Sequence, residues 1–381
     1  MQVKSDLKKL YLTLKNLGTW PAKAHLSEVE ELLGLLRALR ICIVKQASYT
    51  DLACQSVNGI EEYLKYSNHR SGPYGWLIDF NADFRVVKCH PEANLWEQKL
   101  ERGNQSHHQQ IRDRQALNAE SIDEIDFSIY DLVLTYECAV PASVTAEYPN
   151  VLWATMLEDH RMKEFAQFSK KPPEGYDYFF DQRFGPSGIF RQTRQPHVIN
   201  FPYVIPHCSK LEEVEEVRDV VLMDTPQRDE GLEQFFAKLG YQLHYTQARS
   251  LKEHFSMLTK CKYFISYECN NPKWGNGFIE PAAYGCINIG EPNMFWNPAF
   301  ITHYGRLWKG RDLKQIVMEI EGQGLGDEIL DLQSRLIREY CCFRPFHKLL
   351  SGALDNQRLK PETRDRFAEI HSAIDGGFSR K

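Results

Sequence analysis

The sequence predicts an α/β protein made of two doubly wound, Rossmann-like domains facing a cleft, with a helical extension before them and helices after them. Three observations carry this expectation. Short, continuous apolar runs recur between polar residues, the pattern of strands buried on both faces of a parallel sheet. Segments of helical length separate several of these runs. The length, 381 residues, suits two domains of ordinary size. The expected divisions are a helical extension over 1–38, a first α/β domain over 39–200, a second over 201–322, and terminal helices over 323–381.

The elements follow in order. Leu7, Leu10, Leu14 and Leu17 recur at spacings of three and four, and Val29, Leu32, Leu33 and Leu36 continue the helical period after a Gly-Thr-Trp-Pro break at 18–21. Residues 40–45 (Arg-Ile-Cys-Ile-Val-Lys) read as the first buried strand. Further strands are expected at 76–80, 132–135, 151–155 and 178–180. The stretch 88–128, rich in Gln, His and Asn, reads as a mobile excursion or exposed helix, with a lid as the sharper alternative. A segment with two prolines, Asn200-Phe-Pro-Tyr-Val-Ile-Pro-His207, reads as a linker. Then comes the most regular part of the chain: strand 220–223, helix 232–239 ended by Gly240, strand 241–245, helix 251–259, strand 262–266, helix 278–284 and strand 286–289. Helices are expected at 313–321, 326–340 and roughly 361–374.

Composition excludes several classes. An apolar fraction of 43% is that of a chain with a core, so a disordered or fibrous protein is excluded. With 46 basic and 51 acidic residues, a basic nucleic-acid reader is not expected. No run of 18 apolar residues occurs, and the best, around 32–44, is broken by Arg37 and Arg40. The first residues lack an apolar core followed by a small-residue cleavage site. The ten cysteines form no Cys-x-x-Cys pair, and Cys42, Cys138 and Cys286 sit in apolar runs as small hydrophobes. A cytoplasmic setting is expected.

Chemistry is expected at the carboxyl ends of the strands, where loops and helix N-termini gather. The most informative stretch is 266–290. A strand ends near Ser266, a loop containing Lys273 and Gly275 follows, and a helix begins near Gly277. Backbone N–H groups at that helix start suit a phosphate, and the glycines permit close approach. Lys273 adds positive charge. Glu280, one turn in, can accept hydrogen bonds from ribose hydroxyls or simply pair with the helix dipole. Arg228, after the first strand of this domain, is placed to pair with a diphosphate. Gln247 and Arg249 are weaker candidates for a base pocket.

This stretch resembles the carboxyl-terminal half of GT-B glycosyltransferases, where a glycine-containing loop and a helix of the form Gly-x-x-Glu hold a nucleotide-sugar donor. Gly277-Phe-Ile-Glu-Pro-Ala-Ala-Tyr-Gly-Cys-Ile-Asn-Ile-Gly290 carries the likeness, which extends over about 200–320. The resemblance implies that Glu280 contacts the donor ribose and that Asn276, Gly277 and Phe278 lie by the diphosphate. It also implies a GT-B-like pairing of the two domains. Many retaining members carry a second glutamate eight residues earlier; that position here is Pro272, and Glu268 lacks the spacing. A fainter similarity to the fucosyltransferase branch stops at Ile279-Glu-Pro281, where that branch has Thr-Glu-Lys.

The first domain is expected to hold the acceptor and the general base. Its candidates are Lys45, Asp79, Asp83, Glu137 and, richest, Glu158-Asp159-His160 after the strand at 151–155. Tyr49, Trp76 and Trp96 can stack on a sugar or pack in the core. No metal site is expected: His107-His108 has no third ligand at a suitable spacing, and Asp79-Phe-Asn-Ala-Asp83 is not Asp-x-Asp. The expected function is metal-independent transfer of a sugar from a nucleotide-diphosphate donor to an acceptor hydroxyl, with no further cofactor. The alternatives are a nucleotide-sugar epimerase of the same architecture and a non-catalytic nucleotide-sugar-binding protein. The expected partners are the donor and a carbohydrate or other hydroxyl acceptor.

Overall fold

A computed structural model of the chain describes residues 3–5, 7–8, 34–46, 56–66, 76–77, 80, 82–88, 119–136, 140–157, 166–181, 194–200, 214–224, 227–245, 251–266, 276–290, 313–337 and 344–379. The chain divides into two compact units. One comprises Ala24–Gln182, Thr193–Phe201 and Pro345–Lys381, the other Met1–Lys23, Arg183–Gln192 and Pro202–Arg344.

In chain order, the first of these units contains β1 (Ile41–Gln46), β2 (Val57–Asn58), α1 (Gly59–Tyr66), β3 (Asp83–Val87), β4 (Leu132–Tyr136), α2 (Ala142–Glu147), β5 (Leu152–Met156), β6 (Tyr178–Asp181) and β7 (Val198–Asn200). They form a seven-stranded sheet in the order β2-β3-β1-β4-β5-β6-β7. Every neighbouring pair is parallel except β2–β3. Every residue of β4 and β5 is buried, as continuous apolar runs require.

The other unit carries β8 (Val220–Asp224), α3 (Glu230–Lys238), β9 (Gln242–Tyr245), α4 (Leu251–Thr259), β10 (Cys261–Ser266), α5 (Asn276–Ala283) and β11 (Ile287–Gly290), followed by α6 (Leu313–Gln323) and α7 (Gly326–Ile337). Its four strands are all parallel, in the order β11-β10-β8-β9. Asp229 caps α3 by accepting from the Leu232 N–H at 3.0 Å. Gly240 (φ 85°) and Gly285 (φ 69°) end α3 and α5 in the left-handed region. In both, the next N–H reaches back to a carbonyl of the last turn: Tyr241 to Phe236 at 2.9 Å and Cys286 to Pro281 at 2.8 Å. On α7, the Gln333 side chain donates to the Cys286 carbonyl at 2.9 Å and accepts from the Asn288 N–H at 3.1 Å, satisfying main-chain groups along β11.

The chain ends with α8 (Arg344–Leu354) and α9 (Pro361–Ser379), and residues 345–381 belong to the unit of the seven-stranded sheet. A buried carboxylate ties α9 to that sheet. Asp131, just before β4, accepts from the Arg40 N–H (2.9 Å), the Arg40 guanidinium (3.1 Å), the Thr363 hydroxyl (2.9 Å) and Arg366 (2.5 Å). Burial alone would push this carboxyl up; the bonds from Arg40, Arg366 and Thr363 outweigh it and hold the group below its ordinary value.

Three expectations are corrected. The apolar run at 76–80 suggests a strand, but Trp76, Leu77 and Phe80 are helical. Their spacing puts three buried side chains on one helix face. There the Trp76 ring lies 5.9 Å from Phe180 and 6.0 Å from Phe346, and Phe80 lies 5.0 Å from Phe346. The strand is instead β3, where Asp83 and Arg85 interrupt the apolar run that would have marked it. Asp83 therefore opens a strand rather than following one. Its carboxylate accepts from the Tyr130 hydroxyl at 2.7 Å and lies 3.7 Å from Arg85. Finally, the end of the stretch read as a mobile excursion or exposed helix, 119–128, packs on the sheet. The Glu120 N–H donates to the Val86 carbonyl and its carbonyl accepts from Lys88 (both 2.9 Å), while Ile122, Ile125 and Phe127 join a core with Val133 and Trp153. The remainder of that excursion and the linker after Asn200 lie outside the described residues.

Candidate functional site

Strand register in the four-stranded sheet aligns four carboxyl ends. Met223 pairs with Tyr245, Ser266 with Asp224, and Ser266 with Gly290. The chain runs from β8 outward to β9, then returns to β10 on the other side of β8 and continues outward to β11. β8 and β10 are thus neighbours whose connections diverge, the topological switch point at which open α/β sheets bind ligands. The segment leaving β10 resumes as α5 at Asn276, and a helix start presents main-chain N–H groups without helical acceptors.

On α5 the sequence singled out Glu280. Glu280 is buried, and its Oε2 lies 2.8 Å from Nε2 of His254, which is also buried, on α4. The pair joins the helix before β10 to the helix after it. Sequence reasoning missed His254, whose ring lies 5.8 Å from that of Phe255. A histidine in an apolar helix stripe, 26 positions before its carboxylate, gives no spacing signal.

Arg228 is exposed and engaged locally. Its Nε and Nη2 donate to Glu233 of α3 at 2.9 and 3.2 Å, and the Arg228 bond holds the Glu233 carboxyl below its ordinary value. Tyr245, at the carboxyl end of β9, accepts from the Asp229 N–H at 2.8 Å and so anchors the start of α3 at this edge. Among the described residues, no contact joins Arg228 to Glu280. Asn276, Gly277 and Phe278 form the first turn of α5. Lys273 and Gly275 lie outside the described residues, as do Gln247 and Arg249.

The seven-stranded sheet has its own divergence point. From β1 the chain goes to β2 and β3 on one side and then to β4 on the other, so the switch point falls at the carboxyl ends of β1 and β4. Lys45, an acceptor-side candidate, is buried there in β1, with its Nζ 5.1 Å from the centre of the Tyr136 ring. Next along, Thr135 donates to Thr155 at 2.9 Å, across β4 and β5. Trp76, one of the possible stacking residues, is fully buried in the aromatic core. The candidates for the base, Glu158, Asp159 and His160, lie just past β5 and outside the described residues, together with Tyr49, Asp79, Trp96, His107, His108 and Glu137.

Arg218 supports the opposite edge of the four-stranded sheet. Its guanidinium donates to the Gly285 carbonyl at 2.5 Å and to the Cys261 carbonyl, and reaches the Cys286 sulfur at 3.4 Å. One cation therefore pins the starts of β10 and β11 together. Lys262, Tyr241 and Tyr263 likewise converge on Glu321 of α6, whose carboxyl is held below its ordinary value by those bonds although burial opposes it.

No protein family and no curated protein matches this sequence. Among solved structures, the chain is similar to the crystal structure of UDP-GlcNAc 2-epimerase from Neisseria meningitidis bound to UDP-GlcNAc. The two share 8% identity and a TM-score of 0.33 over 84% of this chain and 100% of that one.

Proposed function

We propose that the protein is a nucleotide-sugar enzyme, and specifically a metal-independent glycosyltransferase. The donor diphosphate would lie at the switch point between β8 and β10, and the sugar would pass to an acceptor hydroxyl. The observation that carries the reading is the coincidence of two independent features. The connections from β8 and β10 diverge, the arrangement beyond whose strand ends open α/β sheets bind ligands. The stretch Gly277–Gly290, which resembles the donor helix of GT-B glycosyltransferases, begins in the helix that follows β10. A helix N-terminus and close-approaching glycines stabilise the charge that grows on a departing nucleoside diphosphate.

In this reading Glu280 binds the donor ribose, and His254 is a positioning residue that fixes the carboxylate through Oε2. Asn276, Gly277 and Phe278 line the diphosphate with main-chain donors, and Lys273 and Arg228 add charge. Glu158, Asp159 and His160 are the proposed source of the general base, which must reach the acceptor hydroxyl.

The test is thermal unfolding of the full chain against a panel of nucleoside diphosphates and nucleotide sugars, with and without magnesium. A ligand at about 100 times its Kd adds about 2.7 kcal/mol. One nucleotide should stabilise the wild type and lose that effect in Glu280→Gln. If no nucleotide raises the melting temperature, the reading fails. If Glu280→Gln lowers stability but keeps the full ligand shift, the Glu280–His254 pair is only a tie between helices. Product analysis then separates the activities: transfer to an acceptor supports the proposal, whereas epimerisation of the free donor or binding without turnover replaces it.

A further inference from the structure

The facing sides of α8 and α9 carry a cluster that the donor site does not use. His347 and Ser351 stand one turn apart on α8, and His371 and Asp375 one turn apart on α9. Asp375 Oδ1 lies 2.7 Å from His347 Nε2, and Oδ2 lies 3.5 Å from His371 Nδ1. The two imidazoles are stacked, with centroids 4.4 Å apart and planes 29° apart. One nitrogen or oxygen from each of His347, His371 and Asp375 lies within 4.8 Å of the others.

The hydrogen bonds of Ser351 set the tautomer of His371. Ser351 Oγ lies 2.7 Å from the His347 carbonyl, which can only accept, so the hydroxyl spends its single proton there. At 2.8 Å from His371 Nε2 the same oxygen must then accept, which places the imidazole proton on Nε2. In neutral His371 this leaves a lone pair on Nδ1 directed at Asp375 Oδ2, itself an acceptor. The two groups are joined either by a proton on Nδ1, which pairs an imidazolium with the carboxylate, or by a metal cation that takes both lone pairs. Ligands on a tetrahedral zinc ion at about 2.1 Å stand about 3.4 Å apart; the Nδ1–Oδ2 separation is 3.5 Å, whereas the 2.7 Å between His347 Nε2 and Asp375 Oδ1 is a hydrogen bond that metal binding would replace. The hydroxyl behind His371 is the kind of outer partner that fixes the tautomer of a metal-ligating histidine. Asp375 is 53% exposed, which leaves room for water as a fourth ligand.

We propose that His347, His371 and Asp375 form a binding site for a divalent transition-metal cation that clips α8 to α9, with Ser351 orienting His371. Two imidazoles and one carboxylate favour zinc, cobalt or nickel over magnesium or calcium, which prefer all-oxygen sites. The ligands come from two helices and are 24 and 4 positions apart, so no compact sequence motif announces them.

Cobalt(II) titration of the full-length protein, read by visible absorption, tests this directly. One equivalent should give the intense bands of a four-coordinate site, and zinc should displace it. His371→Asn and Asp375→Asn should each weaken binding at least tenfold, and Ser351→Ala by about tenfold. Asp375→Asn changes an exposed side chain by one atom, so its fold can be verified by circular dichroism before titration. Absence of a cobalt spectrum at millimolar metal, or unchanged affinity and stoichiometry in both ligand variants, overturns the proposal.

Discussion

Asp131→Asn should destabilise the unit built on the seven-stranded sheet by about 3–5 kcal/mol at pH 7. The carboxylate is fully buried and receives four donors, from Arg40 main chain and side chain, Thr363 and Arg366. Asparagine keeps the volume but loses the charge. The Thr363 bond falls from charge-assisted to neutral strength, and the Arg366 guanidinium loses its ion-pair partner, a loss of about 1 kcal/mol each. The Arg40 guanidinium is 47% exposed and contributes less. One amide position also becomes a donor, and if it faces the Arg40 N–H it leaves a buried group unsatisfied at a cost of about 1–3 kcal/mol. Urea unfolding followed by far-ultraviolet circular dichroism measures the difference. The pH dependence identifies its origin. Because the folded-state pKa of Asp131 lies below its unfolded value, its stabilisation is complete above about pH 4 and is lost as pH falls through the folded value. The gap between wild type and variant should therefore narrow on acidification. A destabilisation below 1 kcal/mol at pH 7, or a gap that does not change between pH 7 and pH 3, would show that the Asp131 charge does not hold this unit together.

Two further outcomes are expected. Gly285→Ala should cost more than Gly240→Ala, by differential melting temperature, although both residues have positive φ. A Cβ at Gly285 would sit 2.9 Å from the Arg218 guanidinium, while one at Gly240 meets nothing within 4 Å; the expected costs are about 2–3 and about 1–2 kcal/mol, and equal losses would contradict the role given to Arg218. Lys348 donates to the carbonyls of Gln195 and Val198 at 2.9 and 2.5 Å, and burial pushes its amine down from 10.5 to about 8. The folded chain releases this proton before the unfolded chain does, so stability should rise between about pH 8 and pH 10, by about 1 kcal/mol after allowance for solvent screening. Lys348→Met should flatten that rise in denaturant titrations across the same range.

Parallel-sheet character and most helix ends are legible in the sequence alone. Strands β1, β4, β5, β8, β10 and β11 are short apolar runs because both faces of a parallel sheet are covered, and that requirement is written residue by residue. Gly240 and Gly285 were legible as helix ends because a positive φ is a local demand that glycine meets without strain. Tertiary structure decided everything that depends on partners distant in sequence. Trp76, Leu77 and Phe80 suit a strand or a helix equally until Phe180 and Phe346 select the helical face. β3 escaped notice because Arg85 is acceptable in a sheet only where Asp83, Tyr130 and Glu120 surround it. At the candidate site, the helix start and its glycines were visible, whereas the engagement of Glu280 with His254 was not. That 345–381 belong with the first sheet shows in the contacts of Thr363 and Arg366 with Asp131 across more than two hundred positions, which no local pattern records. Periodicity and φ are properties of neighbouring residues; a buried charge, an aromatic cluster or a ligand set is a property of segments that only folding brings together.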